Sequence, residues 1–214
     1  GVLSMLNVLL LIIPLVSIIF STIYTYNSSE YIDLLVSQPV KRSMVWLGLY
    51  IGLISALSIA FFIGAGIPIL IFAPGNISYM LALVGILITI VFISIALLSS
   101  VSTRDKAKGI GTSILIWLFF SMLFDGIVLF LLFQFAEYPI EHAMVAITFL
   151  SPIDIARILL LMQLDISALL GYTGAIFREF FGTQLGILIA MLAMLLWAVI
   201  PFLISLQKFN KKDL

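Results

Sequence analysis

The sequence has no cysteine and a single histidine, His142, and only 9% of its 214 residues are charged. The first absence removes disulfides, thiolate metal sites and cysteine nucleophiles. The lone imidazole stands beside Glu141 and near Met144, a set too thin to hold a metal, so no metal site is expected. Ten basic residues balance ten acidic ones, which excludes a global basic field for nucleic acid. Also missing are HExxH, GxSxG and a glycine-rich phosphate loop with its lysine; Gly109-Ile110-Gly111 is too short to cradle a phosphate. Catalytic residues, and ATP hydrolysis by this chain alone, are therefore not expected.

What remains is apolar: 64% of the residues are hydrophobic and the mean hydropathy is +1.32, far from the balance of a water-soluble domain. Five runs, near 3–25, 45–72, 79–101, 110–135 and 185–206, are each long enough to cross about 30 Å of hydrocarbon as a helix. The expectation is an all-α, multi-pass membrane protein with residues 1–214 forming one transmembrane domain. Between the runs lie polar breaks at 26–44, 73–78, 102–109 and 136–184. The first residue is Gly, and no basic segment precedes the opening apolar run, which argues against a signal peptide and suggests part of a longer chain.

Lys and Arg set the orientation, because short basic loops stay on the cytoplasmic side. Eight of the ten basic residues, Lys41, Arg42, Arg104, Lys106, Lys108, Lys208, Lys211 and Lys212, fall in the first break, the third break and the tail. These are expected inside, leaving residue 1 and the segment 136–184 outside. A chain that starts outside with no signal again suggests a preceding span.

Four local features point toward function. The first break, around DLLVSQPVKRS, mixes Ile32, Leu34, Leu35 and Val36 with Glu30, Asp33, Lys41 and Arg42, the pattern of a short amphipathic helix that Pro39 would end. Such a helix suits either a groove on a soluble partner or the membrane surface. In the second span Gly48, Gly52, Ala56, Ala60 and Gly64 recur every four residues, giving a smooth face for close helix contact. Packing within the chain is the expectation and a subunit interface the alternative; Gly64-Ala65-Gly66-Ile67-Pro68 should then kink or break the helix. Asp125 is the one acid well inside a span, so it should face protein or a wet cavity, as a pathway residue or as a protonated or hydrogen-bonded packing residue next to Gly126. Outside, Ser151-Pro152-Ile153-Asp154 signals a helix start, and from there Asp154, Arg157 and Asp165 share one side. That helix is expected to be interfacial or re-entrant. With Arg178 farther on, Asp154 and Arg157 are the candidate surface for an outer partner or cargo, read as an exposed pair of small value to folding.

The run DLLVSQPVKRSMVWLGLYIG resembles the cytoplasmic segment between the second and third spans of type-2 ABC exporter permeases. Together with TRDKAKGIGTSILIWLFFSMLFDGIVL and SPIDIARILLLMQLDISALLGYTGAIFREFFGT, nearly the whole chain is similar to the permease of the nitrous-oxide-reductase maturation system (NosY-like). Tyr26-Asn27-Ser28 stands where that family has a Glu-Arg-Glu stretch, and Leu49 where it often has Lys. The resemblance implies six spans in the full protein and a place in the bacterial inner membrane. It implies a homodimer with two ATPase subunits that hold the ATP and magnesium, a coupling segment 27–44 in which Glu30, Asp33, Leu34, Leu35, Pro39 and Arg42 meet the ATPase, and a periplasmic accessory protein. It also implies service to the copper centres of nitrous-oxide reductase, by moving a copper or sulfur species or by transmitting motion. The rival readings are an ion-driven secondary transporter using Asp125 and a membrane anchor that moves nothing.

Overall fold

A backbone placed in hydrocarbon must satisfy its own amides, and in this chain helices do so throughout the described residues. The computed structural model describes residues 2–72, 75–135, 141–163 and 183–211, with no strand among them. In chain order the helices are α1 (Val2–Asn27), α2 (Ser29–Val36), α3 (Arg42–Phe61), α4 (Ile67–Phe72), α5 (Asn76–Ser102), α6 (Lys106–Leu118), α7 (Phe124–Gln134), α8 (Glu141–Thr148), α9 (Pro152–Gln163) and α10 (Gln184–Lys211). Two π turns, Phe62–Gly66 and Phe119–Leu123, join α3 to α4 and α6 to α7 without a break. Five continuous helices can therefore cross a membrane: Leu6–Asn27, Arg42–Ile71, Ser78–Ser102, Lys106–Gln134 and Gln184–Lys211. Each overlaps one of the apolar runs. The expected kink near Gly64 is a widened turn in an unbroken helix.

α5 is the hub. It packs against α1, α3, α9 and α10, and Val84, Ile88, Val91, Phe92 and Ala96 along it are fully buried. Because hydrocarbon outside is as apolar as the core inside, small polar side chains supply much of the helix-to-helix specificity. Thr22 of α1 hydrogen-bonds Ser113 of α6 at 2.8 Å, and Ser113 donates to Ser99 of α5 at 3.2 Å. Trp46 donates to Ser205 at 2.9 Å and stacks on Phe209, while Tyr50 pairs with Ser94 and stacks on Phe202. These contacts tie α3 to α5 and α10. Lys106 reaches Asn27 and Lys208 reaches Ser102, so the ends carrying the basic residues gather at one pole of the bundle.

Not every small residue marks a contact. A Cβ built on Gly48, Gly52 or Gly64 would meet nothing within 4 Å, and Ala56 and Ala60 are exposed. The expectation that this stripe packs within the chain is thus corrected. Close approaches occur instead at Gly85, against the Phe61 ring, and at Gly109, against Tyr26.

α8 and α9 form a hairpin pushed into the bundle. Trp197, near the middle of α10, donates to the carbonyl of Phe149 in the hairpin's turn at 3.0 Å, which places that turn deep between the spans. Ser151 begins α9 as expected: its Oγ accepts from the amide of Asp154 at 3.3 Å, and Pro152 takes the first helical position, where no amide is needed. Residues 151–156, Leu159 and Leu160 are buried, and α9 packs on α1, α5 and α10. Of the two expected geometries, the re-entrant one is found. The rest of the outer segment, including Asp165 and Arg178, lies outside the described residues.

Candidate functional site

At the basic pole, α2 leaves α1 at Ser28 and ends at Val36, where the Ser37 amide donates to the Asp33 carbonyl, the Gln38 amide to the Leu35 carbonyl and the Ser37 hydroxyl to the carbonyl of Leu34. The helix stops before Pro39. A tight turn around that proline, with the Val40 amide on the Gln38 carbonyl at 2.7 Å, delivers the chain to α3. α2 is amphipathic, with its faces divided differently from the sequence expectation. Ile32 is 6% exposed and packs with Trp46 and Phe209, and Val36 leans on the same cluster. Those two anchor the helix to its own bundle and are not available to a partner. Leu34 and Tyr31 are each 64% exposed, beside exposed Glu30 and Asp33. Leu35 is half-buried and lines a cleft of about 430 Å³ with Tyr24, Tyr31, Val40 and Met44. Pro39 and Lys41 are exposed and Arg42 partly so. The free surface is therefore a Tyr31–Leu34 ridge flanked by acid. Tyr31, inside the 26–44 break, was missed in the sequence because nothing in its spacing sets it apart from the apolar residues around it.

Toward the outer pole, three charged side chains meet. Arg157 Nη1 donates to both carboxylate oxygens of Asp125 at 2.9 Å and to Asp154 Oδ1 at 3.1 Å. Asp125 lies about 14 Å inside the outer end of its span, at about 1.5 Å per residue to Gln134. Its orientation owes something to the π turn Phe119–Leu123, whose extra residue rotates α7 by about 100° relative to a continuous α-helix. Gly126 has open space around it, so no side chain fills a notch there, and Asp125 is held instead by its hydrogen bonds from Arg157. It faces a cleft of about 480 Å³ whose walls come from Asn7, Leu10 and Leu11 of α1, Ser121 of the π turn, and Ile153, Arg157 and Leu161 of α9.

The outer pair is likewise corrected. Asp154 is 8% exposed, too buried to serve as a partner surface, and Arg157 turns into the bundle to reach span four. The helix-start residues Ser151 and Pro152 carry Asp154 inward with the hairpin. A signal for this was present: two acids and one arginine in otherwise apolar segments must pair with one another to be tolerated. Nothing in the spacing of Asp125 and Arg157 showed it.

The described residues thus combine five membrane-length helices, a basic pole carrying an amphipathic connector and a re-entrant hairpin at the other pole. A family model for ABC-2 family transporter proteins matches residues 6–214. The chain belongs to that family. Curated proteins gave no match. As an ABC-2 permease the chain is the transmembrane subunit, not the ATPase, and membership implies a separate ATPase partner and dimerisation. α2, on this assignment, sits in the connector between the first two spans of the described bundle, at the pole where the basic residues collect.

Proposed function

We propose that this ABC-2 permease receives ATP-driven motion through α2 and delivers it to the α8–α9 hairpin, in service of copper-centre assembly in nitrous-oxide reductase. Two ATPase subunits hold ATP and magnesium beneath a permease dimer in the bacterial inner membrane. Closure of the ATPase pair pushes on α2 and the turn at Pro39. The product is a copper or sulfur species moved outward, or motion passed to a periplasmic accessory protein. The carrying observation is the division of α2: Ile32 is locked into the bundle while Leu34, Tyr31, Glu30 and Asp33 stay free, so a force on the exposed ridge is transmitted to α3 and α10 through the Trp46 and Phe209 contacts. Leu35 contributes the edge of the adjoining cleft, and Arg42 begins the helix that receives the push. The resemblance of DLLVSQPVKRSMVWLGLYIG and the two later runs to the nitrous-oxide-reductase maturation permease supports the choice of output.

Leu34→Asp tests both halves in cells that make the reductase. A carboxylate cannot enter an apolar groove without a partner, so the ATPase should no longer co-purify, and reductase should accumulate without its copper while the permease keeps its membrane level. ATPase loss with fully loaded reductase would retain the coupling role and overturn the maturation role. Unchanged co-purification and activity would overturn the coupling role of α2.

A further inference from the structure

We infer that Asp154 and Asp125, gathered on Arg157, share one exchangeable proton that ties the re-entrant hairpin to span four. The geometry points to it through a count of hydrogens. Arg157 Nη1 carries two N–H groups, yet three carboxylate oxygens lie around it, two from Asp125 at 2.9 Å and one from Asp154 at 3.1 Å. The remaining oxygen, Asp154 Oδ2, is buried with no hydrogen-bond partner in a residue only 8% exposed, and the buried Nε–H of Arg157 has no acceptor either, so the guanidinium's spare donor does not reach that oxygen. Two carboxylates against one guanidinium leave a net negative charge inside the hydrophobic thickness, which burial penalises and one proton removes. A buried acceptor without a donor is also unusual in a folded protein. Both carboxyl groups accept from the same nitrogen, Arg157 Nη1, at 2.9 and 3.1 Å, so a proton on Asp154 can be shared with Asp125.

Among the described residues, few other ionisable groups reach this place. Of the elements packed on α9, α1 brings only Tyr24 and Tyr26 and α10 only Lys208 and Lys211, all toward the basic pole. α5 brings only Tyr79, in its first turn, and the π turn Phe119–Leu123 brings none. α8 carries Glu141 and His142 at its start. Asp125 lines the outer cleft and is about a third exposed, which gives the proton a route: it leaves the carboxyl pair for water in that cleft, and the pair becomes two carboxylates on one guanidinium.

Infrared spectra of the purified permease, in its complex, read this directly through the carbonyl stretch of a protonated carboxyl. Wild type should keep that band at neutral pH. Asp154→Asn and Asp125→Asn should each lose it, because either change leaves one carboxylate neutralised by Arg157. Arg157→Gln should keep it, since the carboxyls then lose their counter-charge, and His142→Gln should keep it because imidazole is not the carrier. A wild type without the band at neutral pH, or a band that survives in both Asp variants, overturns the inference. The two Asp variants act independently, so a failure of either to fold leaves the other as the test. None of these outcomes depends on the cargo or on the ATPase.

Discussion

Gly109 and Gly111 stand two residues apart on one helix and have opposite packing. A Cβ at Gly109 would run into the Tyr26 ring, which is pinned by its hydroxyl to the carbonyls of Thr103 at 2.9 Å and Ser100 at 3.4 Å, so the ring has little freedom to step aside. At Gly111 a Cβ would meet nothing within 4 Å. Gly109→Ala should therefore cost about 1–3 kcal/mol by overpacking, and Gly111→Ala should be neutral or gain up to about 1 kcal/mol from helix propensity. Thermal unfolding in detergent checks the pair; equal midpoints for both variants would mean that Tyr26 is free to move. The sequence shows Gly109-Ile110-Gly111 only as a motif too short for phosphate. Which glycine is a contact depends on a tyrosine far along the chain, and no local pattern carries that. The same limit applies to Arg157: its charge is legible as needing a partner in an apolar setting, but its choice of Asp125 follows from the depth to which the hairpin enters.

Helices were the most legible scale, because hydrocarbon demands about twenty apolar residues in a row and the chain supplies five such runs. Faces were less legible than helices. On α2 the apolar set Ile32, Leu34, Leu35 and Val36 reads as one surface, yet the bundle takes Ile32 and Val36 and leaves Leu34 outside. In a water-soluble helix the apolar face is the buried one. In a membrane protein both lipid and protein accept apolar side chains, so hydrophobic periodicity loses its power to say which side faces in. The stripe Gly48, Gly52, Ala56, Ala60 and Gly64 shows the same ambiguity. It has the spacing of a helix contact, but its glycines meet no neighbour among the described residues. Gly52→Leu should accordingly leave the unfolding midpoint of the solubilised permease unchanged, within about 0.5 kcal/mol, since it touches nothing in the fold. A loss of several degrees would show that the face is packed after all.

At the scale of the molecule, five spans put the start of α1 and the end of α10 at opposite poles, and the sidedness of both follows from charge. Lys41, Arg42, Arg104, Lys106, Lys108, Lys208 and Lys211 lie in or beside the connectors and helix ends of one pole, and Lys208 and Lys106 are tied there to Ser102 and Asn27. Basic loops of this length resist translocation, so we propose that this pole faces the cytoplasm. The α8–α9 hairpin and the Asp125–Arg157–Asp154 cluster then open toward the other side, with α2 and its exposed ridge inside. The absence of cysteine from residues 1–214 makes the arrangement directly testable, because a thiol introduced there has no competitor within them. Gln38→Cys, in the exposed turn after α2, and Tyr79→Cys, 69% exposed in the first turn of α5, report the two poles. A membrane-impermeant maleimide should label Gln38→Cys only in inverted vesicles and Tyr79→Cys only in right-side-out ones. The reverse pattern would place α2 outside, where no ATPase could reach it, and would remove the coupling role and the outward-facing proton site together. Labelling of both residues from one side would instead mean that the second span does not cross.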